Sequence, residues 1–205
     1  MELLAKLLGG QERVKIMRFF LHHDDGIWTP HEISDKTKVK GAIARKELSA
    51  LTSIGFIERK KYKTLTNGSS KKNQKVKETI CYKLNAEFPH NQALKDLLFD
   101  FQLLDKRELA SRFKNIGRIK LFVVAGVFVG LNDSRVDILI VGEAIKKPKA
   151  EKIFETLSAE LGREVVYSIL DVEEYEYRFK MYDKFVRDIL DMYHEKVIDR
   201  LVVKL

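Results

Sequence analysis

Cysteine is nearly absent. Cys81 stands alone among 205 residues, which excludes an intrachain disulfide and a cysteine-built zinc site and fits a reducing compartment. Long apolar runs are missing as well. The run in MELLAKLLGG at positions 1–10 and the stretch 121–131 are too short to cross a bilayer. The first also lacks a credible cleavage site, so a cytoplasmic protein with no membrane partner is expected. Acidic residues are scarce in one place only. Between positions 36 and 77 there are 13 Lys and Arg against 2 Asp and Glu, a net of +11, whereas the whole chain carries +8. Residues 104–205 hold 19 against 18. The basicity therefore belongs to one patch and points to a polyanion that meets that patch. His22, His23, Asp24 and Asp25 are metal-capable side chains, but consecutive residues point in different directions and no further His lies at ligand spacing. They read as a polar loop, and neither a metal nor a cofactor is expected.

What is present is organised around KVKGAIARKELSALTSIGFIERKKYK, residues 38–63. Val39, Ala44, Leu48 and Leu51 recur at helical spacing with Ile54 just before the stop, and Gly55 stands where a helix end favours positive φ. The opposite face carries Lys40, Gly41, Ala42, Arg45, Lys46 and Ser49, following Lys38. Its cations suit phosphates, and its small residues would let the backbone lie deep in a DNA major groove. Upstream, residues 2–8 read as a short helix or turn closed by Gly9-Gly10. Residues 11–22 read as a first helix, with Val14, Ile16, Met17, Phe20 and Leu21 on its apolar face. Ile27 and Trp28 suit a short buried strand or plug. Thr29-Pro30-His31-Glu32 has the pattern of a capping box with proline at the first helical position, opening a helix that ends near Thr37. Downstream, Phe56-Ile57-Glu58 begins a strand that runs into Arg59, Lys60, Lys61 and Lys63. A polar basic tip with Lys71, Lys72, Lys75 and Lys77 follows, and a second strand spans residues 79–84. This is a β-hairpin with a long tip.

Residues 91–104 read as an amphipathic helix lined by Leu94, Leu97, Leu98, Phe101 and Leu104, and the domain boundary is placed between 104 and 105. The second half changes character. Strands are expected at 118–128, 136–141 and 165–170, helices at 148–161 and 173–193, and a final strand at 197–203. The expected class is α+β overall, with a small α/β domain at the C-terminal end.

Residues 11–104 resemble the winged helix-turn-helix domain of prokaryotic transcription regulators. The resemblance is carried by Val39, Leu48, Leu51, Gly55, Phe56 and Ile57, then Tyr82, Leu84 and Asn85. It implies that the helix from Lys40 enters DNA and that the hairpin is a wing whose lysines meet phosphates. Residues 117–203 look like the small nucleotidyltransferase domains related to DNA polymerase β. Active members carry Gly-Ser after the first strand and Ser-Asp-x-Asp on the second, and two alternating carboxylates hold two divalent metals. Here Ala125-Gly126 and Ser134-Arg135-Val136-Asp137 occupy those places, so the Gly-Ser pair and the first carboxylate are replaced. A fixed cation at Arg135 repels Mg²⁺ and withdraws a ligand. Asp133 is no ready substitute: four residues of extended strand span ~13 Å, against ~4 Å between paired metals. The resemblance therefore implies a degenerate catalytic motif. Either Arg135 pairs with Asp137 in a structural role, or Ser134, Arg135 and Asp137 keep a residual nucleotide pocket.

The expectation is a sequence-specific, double-stranded DNA-binding regulator, homodimeric, not an enzyme, with the second domain dimerising or sensing a small-molecule or nucleotide effector. The rival is a metal-dependent nucleotidyltransferase acting on a protein or nucleic acid through Asp137. RNA binding is disfavoured because the chain shows no aromatic-rich sheet motif.

Overall fold

The computed structural model describes residues 2–65, 76–101, 104–131 and 133–201. The fold is α+β. The chain forms two compact units, residues 1–99 with 159–163, and residues 100–158 with 164–205.

In the first unit, α1 (Glu2–Leu8) and α2 (Gln11–His22) are separated by Gly9 and Gly10, both at positive φ. Next come α3 (Pro30–Thr37) and α4 (Gly41–Ser53), then the antiparallel strands β1 (Ile57–Leu65) and β2 (Val76–Leu84), then α5 (Asn91–Leu98). Thr29 begins α3 as the sequence predicts. Its hydroxyl accepts from the Glu32 amide at 3.2 Å, and its own amide donates to the Glu32 carboxylate at 2.8 Å. The Thr29 amide, and next the Thr29 hydroxyl, donating to the Glu32 carboxylate hold that carboxyl below the usual range. Thr29→Ala removes the cap and is expected to lower stability by about 1 kcal/mol, read by chemical denaturation. At the other end of the motif, Gly55 at φ 78° lets Phe56 donate to the Leu51 carbonyl and Gly55 donate to that of Thr52, each at 3.0 Å. That pair of bonds is a Schellman closure, and it turns the chain straight into β1.

The core of this unit is one cluster. Ile16, Phe20 and Leu21 of α2 meet Ile33, Val39, Ala44, Leu48, Leu51 and Phe56. Trp28 pairs with Tyr82 by two backbone bonds of 2.9 and 2.8 Å, adding a one-residue bridge to the hairpin. Ile27 beside it is exposed. Ile54, expected just before the helix stop, is the residue that follows α4 and is also turned to solvent. The helix expected over 91–104 stops at Leu98. There the buried Arg18 guanidinium donates to the Leu98 carbonyl at 2.8 Å, satisfying a helix-end acceptor from outside the helix.

The second unit is a four-stranded sheet in the order β5-β4-β3-β6. It is built from β3 (Arg118–Val124), β4 (Ile138–Glu143), β5 (Tyr167–Asp171) and β6 (Glu195–Asp199), with helices α6 (Lys106–Ser111), α7 (Lys147–Leu161), α8 (Val172–Lys180) and α9 (Lys184–Asp191). β4 and β5 are parallel and joined through α7, while β3 is antiparallel to both β4 and β6. The central strands are apolar at nearly every position because both faces are covered. Leu121, Val123, Leu139 and Val141 pack with Tyr175, Val186 and Ile189. Phe122 meets Phe113, which meets Phe154, and the ring of Phe154 lies flat on Tyr167 at 3.7 Å.

Several boundaries differ from the sequence expectation. The first strand stops at Val124 and gives way to a 3-10 turn at Gly126–Val129. The single helix expected over 173–193 is two helices: Tyr182 takes φ 53°, and the Asp183 carboxylate caps a new start by accepting from the Val186 amide at 3.2 Å. The apolar spacing continues across this break, which is why periodicity alone runs through it.

Candidate nucleic-acid interface

The turn between α3 and α4 is three residues long, and its middle residue is pinned. Val39 is buried in the core, and its carbonyl accepts from the Ser34 hydroxyl at 2.6 Å. Lys38, at φ 55°, and Lys40, preceding α4, are thereby held outward on either side of it. Along α4 the inward positions are Ala44, Glu47, Leu48 and Leu51. The outward positions are Ala42, Arg45, Lys46 and Ser49, all exposed, with Gly41 half-buried at the first turn. Ile43 is exposed on the same helix. The sequence reading passed over it, because an apolar residue in an amphipathic helix is assigned by default to the core.

Glu47 decides the charge of this surface. It is the one carboxylate in α4, and it is buried, accepting from the Arg13 guanidinium of α2 at 2.6 Å. The outward side of α4 therefore holds no acid. Among the described residues Lys38, Lys40, Arg45 and Lys46 form no ion pair. Unneutralised cations around small side chains suit a phosphate backbone approached closely, and an exposed Ile43 suits contact with a thymine methyl.

The hairpin is less uniform. Arg59, Lys60 and Lys61 of β1 are exposed. Lys60 reaches Glu58 at 3.0 Å, and Lys83, opposite Glu58 in the register, reaches the same carboxylate at 3.4 Å. The hydrogen bond from Lys60 holds the Glu58 carboxyl below its usual range, and Glu58 in turn raises the Lys60 ammonium. Lys61 pairs with Glu78 at 3.6 Å. Arg59 has no ion pair among the described residues. The side chains of Lys63 and Lys77, and the whole of Lys71, Lys72 and Lys75, lie outside the described residues.

In the second unit the side chains of Ser134, Arg135 and Asp137 engage three separate sets of partners. The Ser134 hydroxyl donates to the Val136 carbonyl at 2.7 Å. Arg135 does not pair with Asp137. It reaches Asp188 of α9 at 2.9 Å. Asp137 is buried, and both of its carboxylate oxygens are occupied: Oδ1 accepts from the Val127 amide at 3.1 Å and Oδ2 from the Val166 amide at 3.0 Å. Gly126, at φ 54°, is required beside it, because a Cβ there would stand 2.2 Å from Oδ1. This carboxylate ties the 3-10 turn to the approach of β5. Asp171, at the end of β5, caps α8 by accepting from the Glu174 amide at 2.7 Å. No group of three or more His, Cys, Asp or Glu among the described residues is arranged to hold a metal ion. No helix among the described residues is long and apolar enough to cross a membrane.

No protein-family model, curated protein or solved structure matches the chain.

Proposed function

We propose that the chain is a cytoplasmic, sequence-specific regulator of transcription that binds double-stranded DNA as a homodimer, through a winged helix-turn-helix in its first unit. The observation that carries this reading is the acid-free outward side of α4, with Lys38, Lys40, Arg45 and Lys46 in no ion pair among the described residues and Glu47 turned inward onto Arg13. α4 is the reading helix. Arg45 and Ser49 are its candidate base contacts, Lys38, Lys40 and Lys46 its phosphate contacts, and the hairpin is the wing. A single helix of this length reads few bases. A two-fold pair would read two half-sites separated by one helical turn of DNA, about 34 Å, or a multiple of it.

The test is binding of the full chain to duplex DNA from its own upstream region and to random duplex, across a salt series. Selective binding with a steep salt slope supports the proposal, whereas equal binding to any polyanion defeats it. Within that assay the wing makes its own prediction. Arg59→Ala is expected to flatten the slope of log affinity against log salt by about 1, with selectivity unchanged. Lys60→Ala is expected to change it less, because Glu58 already accompanies Lys60.

The second unit is proposed as a nucleotidyltransferase-like domain without catalysis. Support comes from Asp137, whose oxygens are bonded to two backbone amides, and from Arg135, which stands at the position of the first carboxylate.

A further inference from the structure

In the second unit α6, β3 and β6 surround an open cavity of about 510 Å³, within the range of small-molecule sites. Its rim carries Arg107, Lys114, Arg118, Lys120 and Arg200, and no carboxylate lines it. Ile119, Val197 and Ile198 also line it and supply apolar surface. Two nearby acids pair with lysines outside the lining. Glu195 accepts from Lys106 at 2.6 Å, and Asp199 pairs with Lys196 at 3.2 Å. Glu143 alone serves both Arg118, at 3.5 Å, and Lys120, at 3.2 Å. Arg107, Lys114 and Arg200 have no ion pair among the described residues. The backbone amide of Arg200 donates to the Lys120 carbonyl at 2.7 Å, which fixes the end of β6 beside β3.

Arg107, Lys114 and Arg200, beside Arg118 and Lys120 that share the single Glu143 carboxylate, leave the concavity net positive, which favours an anion among them. Guanidinium groups present paired donors to phosphate oxygens, and the apolar lining residues add a surface for an uncharged body. A concave site of this size fits a small molecule better than it fits a duplex. We propose that this cavity binds a phosphorylated small molecule of about mononucleotide size, with its phosphates on the cationic rim and its uncharged part on Ile119, Val197 and Ile198. The site is separate from Ser134, Arg135 and Asp137, and binding there does not depend on the DNA reading.

The test is isothermal titration of the full chain with ATP as probe, in EDTA, with adenosine and inorganic tripolyphosphate as comparators. ATP is expected to bind, tripolyphosphate to bind more weakly, and adenosine not to bind measurably. Arg107→Glu with Lys114→Glu, both at exposed positions, is expected to weaken ATP by about tenfold for each charge reversed, with thermal stability unchanged. Arg45→Ala with Lys46→Ala is expected to leave ATP affinity intact. No heat with ATP at millimolar concentration overturns the proposal. So does equal affinity for tripolyphosphate, since the apolar lining would then contribute nothing. So does unchanged ATP affinity in the double glutamate variant. A double glutamate variant that loses duplex affinity while the parent fails to bind ATP would assign this face to nucleic acid instead.

Discussion

Arg45→Ala with Lys46→Ala is expected to weaken duplex DNA binding by about 10- to 1000-fold at moderate salt and to lower the salt slope by about 1 to 2. The estimate takes about 1–3 kcal/mol for a side chain reading a base edge and a smaller, salt-dependent loss for one phosphate contact, with 1.4 kcal/mol per factor of ten. The two substitutions separate these contributions. Lys46→Ala alone should weaken random and specific duplex alike, whereas Arg45→Ala alone should weaken the specific duplex more. Neither residue contributes to the core or to an ion pair among the described residues, and both are exposed. The melting temperature should therefore stay within about 2 °C of the parent. A double variant that binds DNA as the parent does would mean that α4 faces away from DNA. Anisotropy titrations on specific and random duplexes, with a melting curve for each variant, give both readouts.

Asp137→Ala is expected to destabilise the second unit by about 3–5 kcal/mol. It leaves the buried Val127 amide and the part-buried amide of Val166, an exposed residue, without their acceptor. Each orphaned donor costs about 1–3 kcal/mol, and bonds to a charged acceptor are stronger than neutral ones. In a unit of about 100 residues this corresponds to a fall in melting temperature of about 15 °C or more. Asp137→Asn should cost less, because its amide oxygen can still serve one of the two donors while its NH₂ opposes the other. Gly126→Ala should match or exceed the Asp137→Ala loss, since it forces a side chain at φ 54° against Oδ1 of Asp137. The catalytic reading predicts the reverse pattern for Asp137: near-parental stability with loss of metal-dependent transfer from a nucleoside triphosphate. Thermal unfolding of the two Asp137 variants, beside a transfer assay on the parent, decides between them.

The elements of the first unit that the sequence predicted well are those determined within a few residues. The capping bonds between Thr29 and Glu32 span three positions. The closure at Gly55 depends on one residue that tolerates positive φ. The alternation in the hairpin and the three- to four-residue spacing of Ala44, Leu48 and Leu51 mark which sides are dry. The elements predicted poorly are those where periodicity continues while something else ends the element. Asp183 breaks the helix expected over 173–193 by capping a second one. Arg18, 80 residues upstream, takes the carbonyl at the end of α5.

By itself the sequence determined the concentration of positive charge between residues 36 and 77, the order of helices and strands, and the identity of the side chains offered on α4. Composition and local spacing carry that information, because capping, turn chemistry and amphipathic burial act over one or two turns of chain. Only the tertiary structure decided which charges remain available. Glu47 is withdrawn from α4's outward side by Arg13, 34 residues away. Arg135 is claimed by Asp188 across 53 residues, and Asp137 by the Val166 amide across 29. The cationic cavity likewise draws on α6, β3 and β6, which are far apart in the chain. Electrostatic partners are chosen by distance in space, and a charge pattern along the chain does not contain those distances until the core has folded.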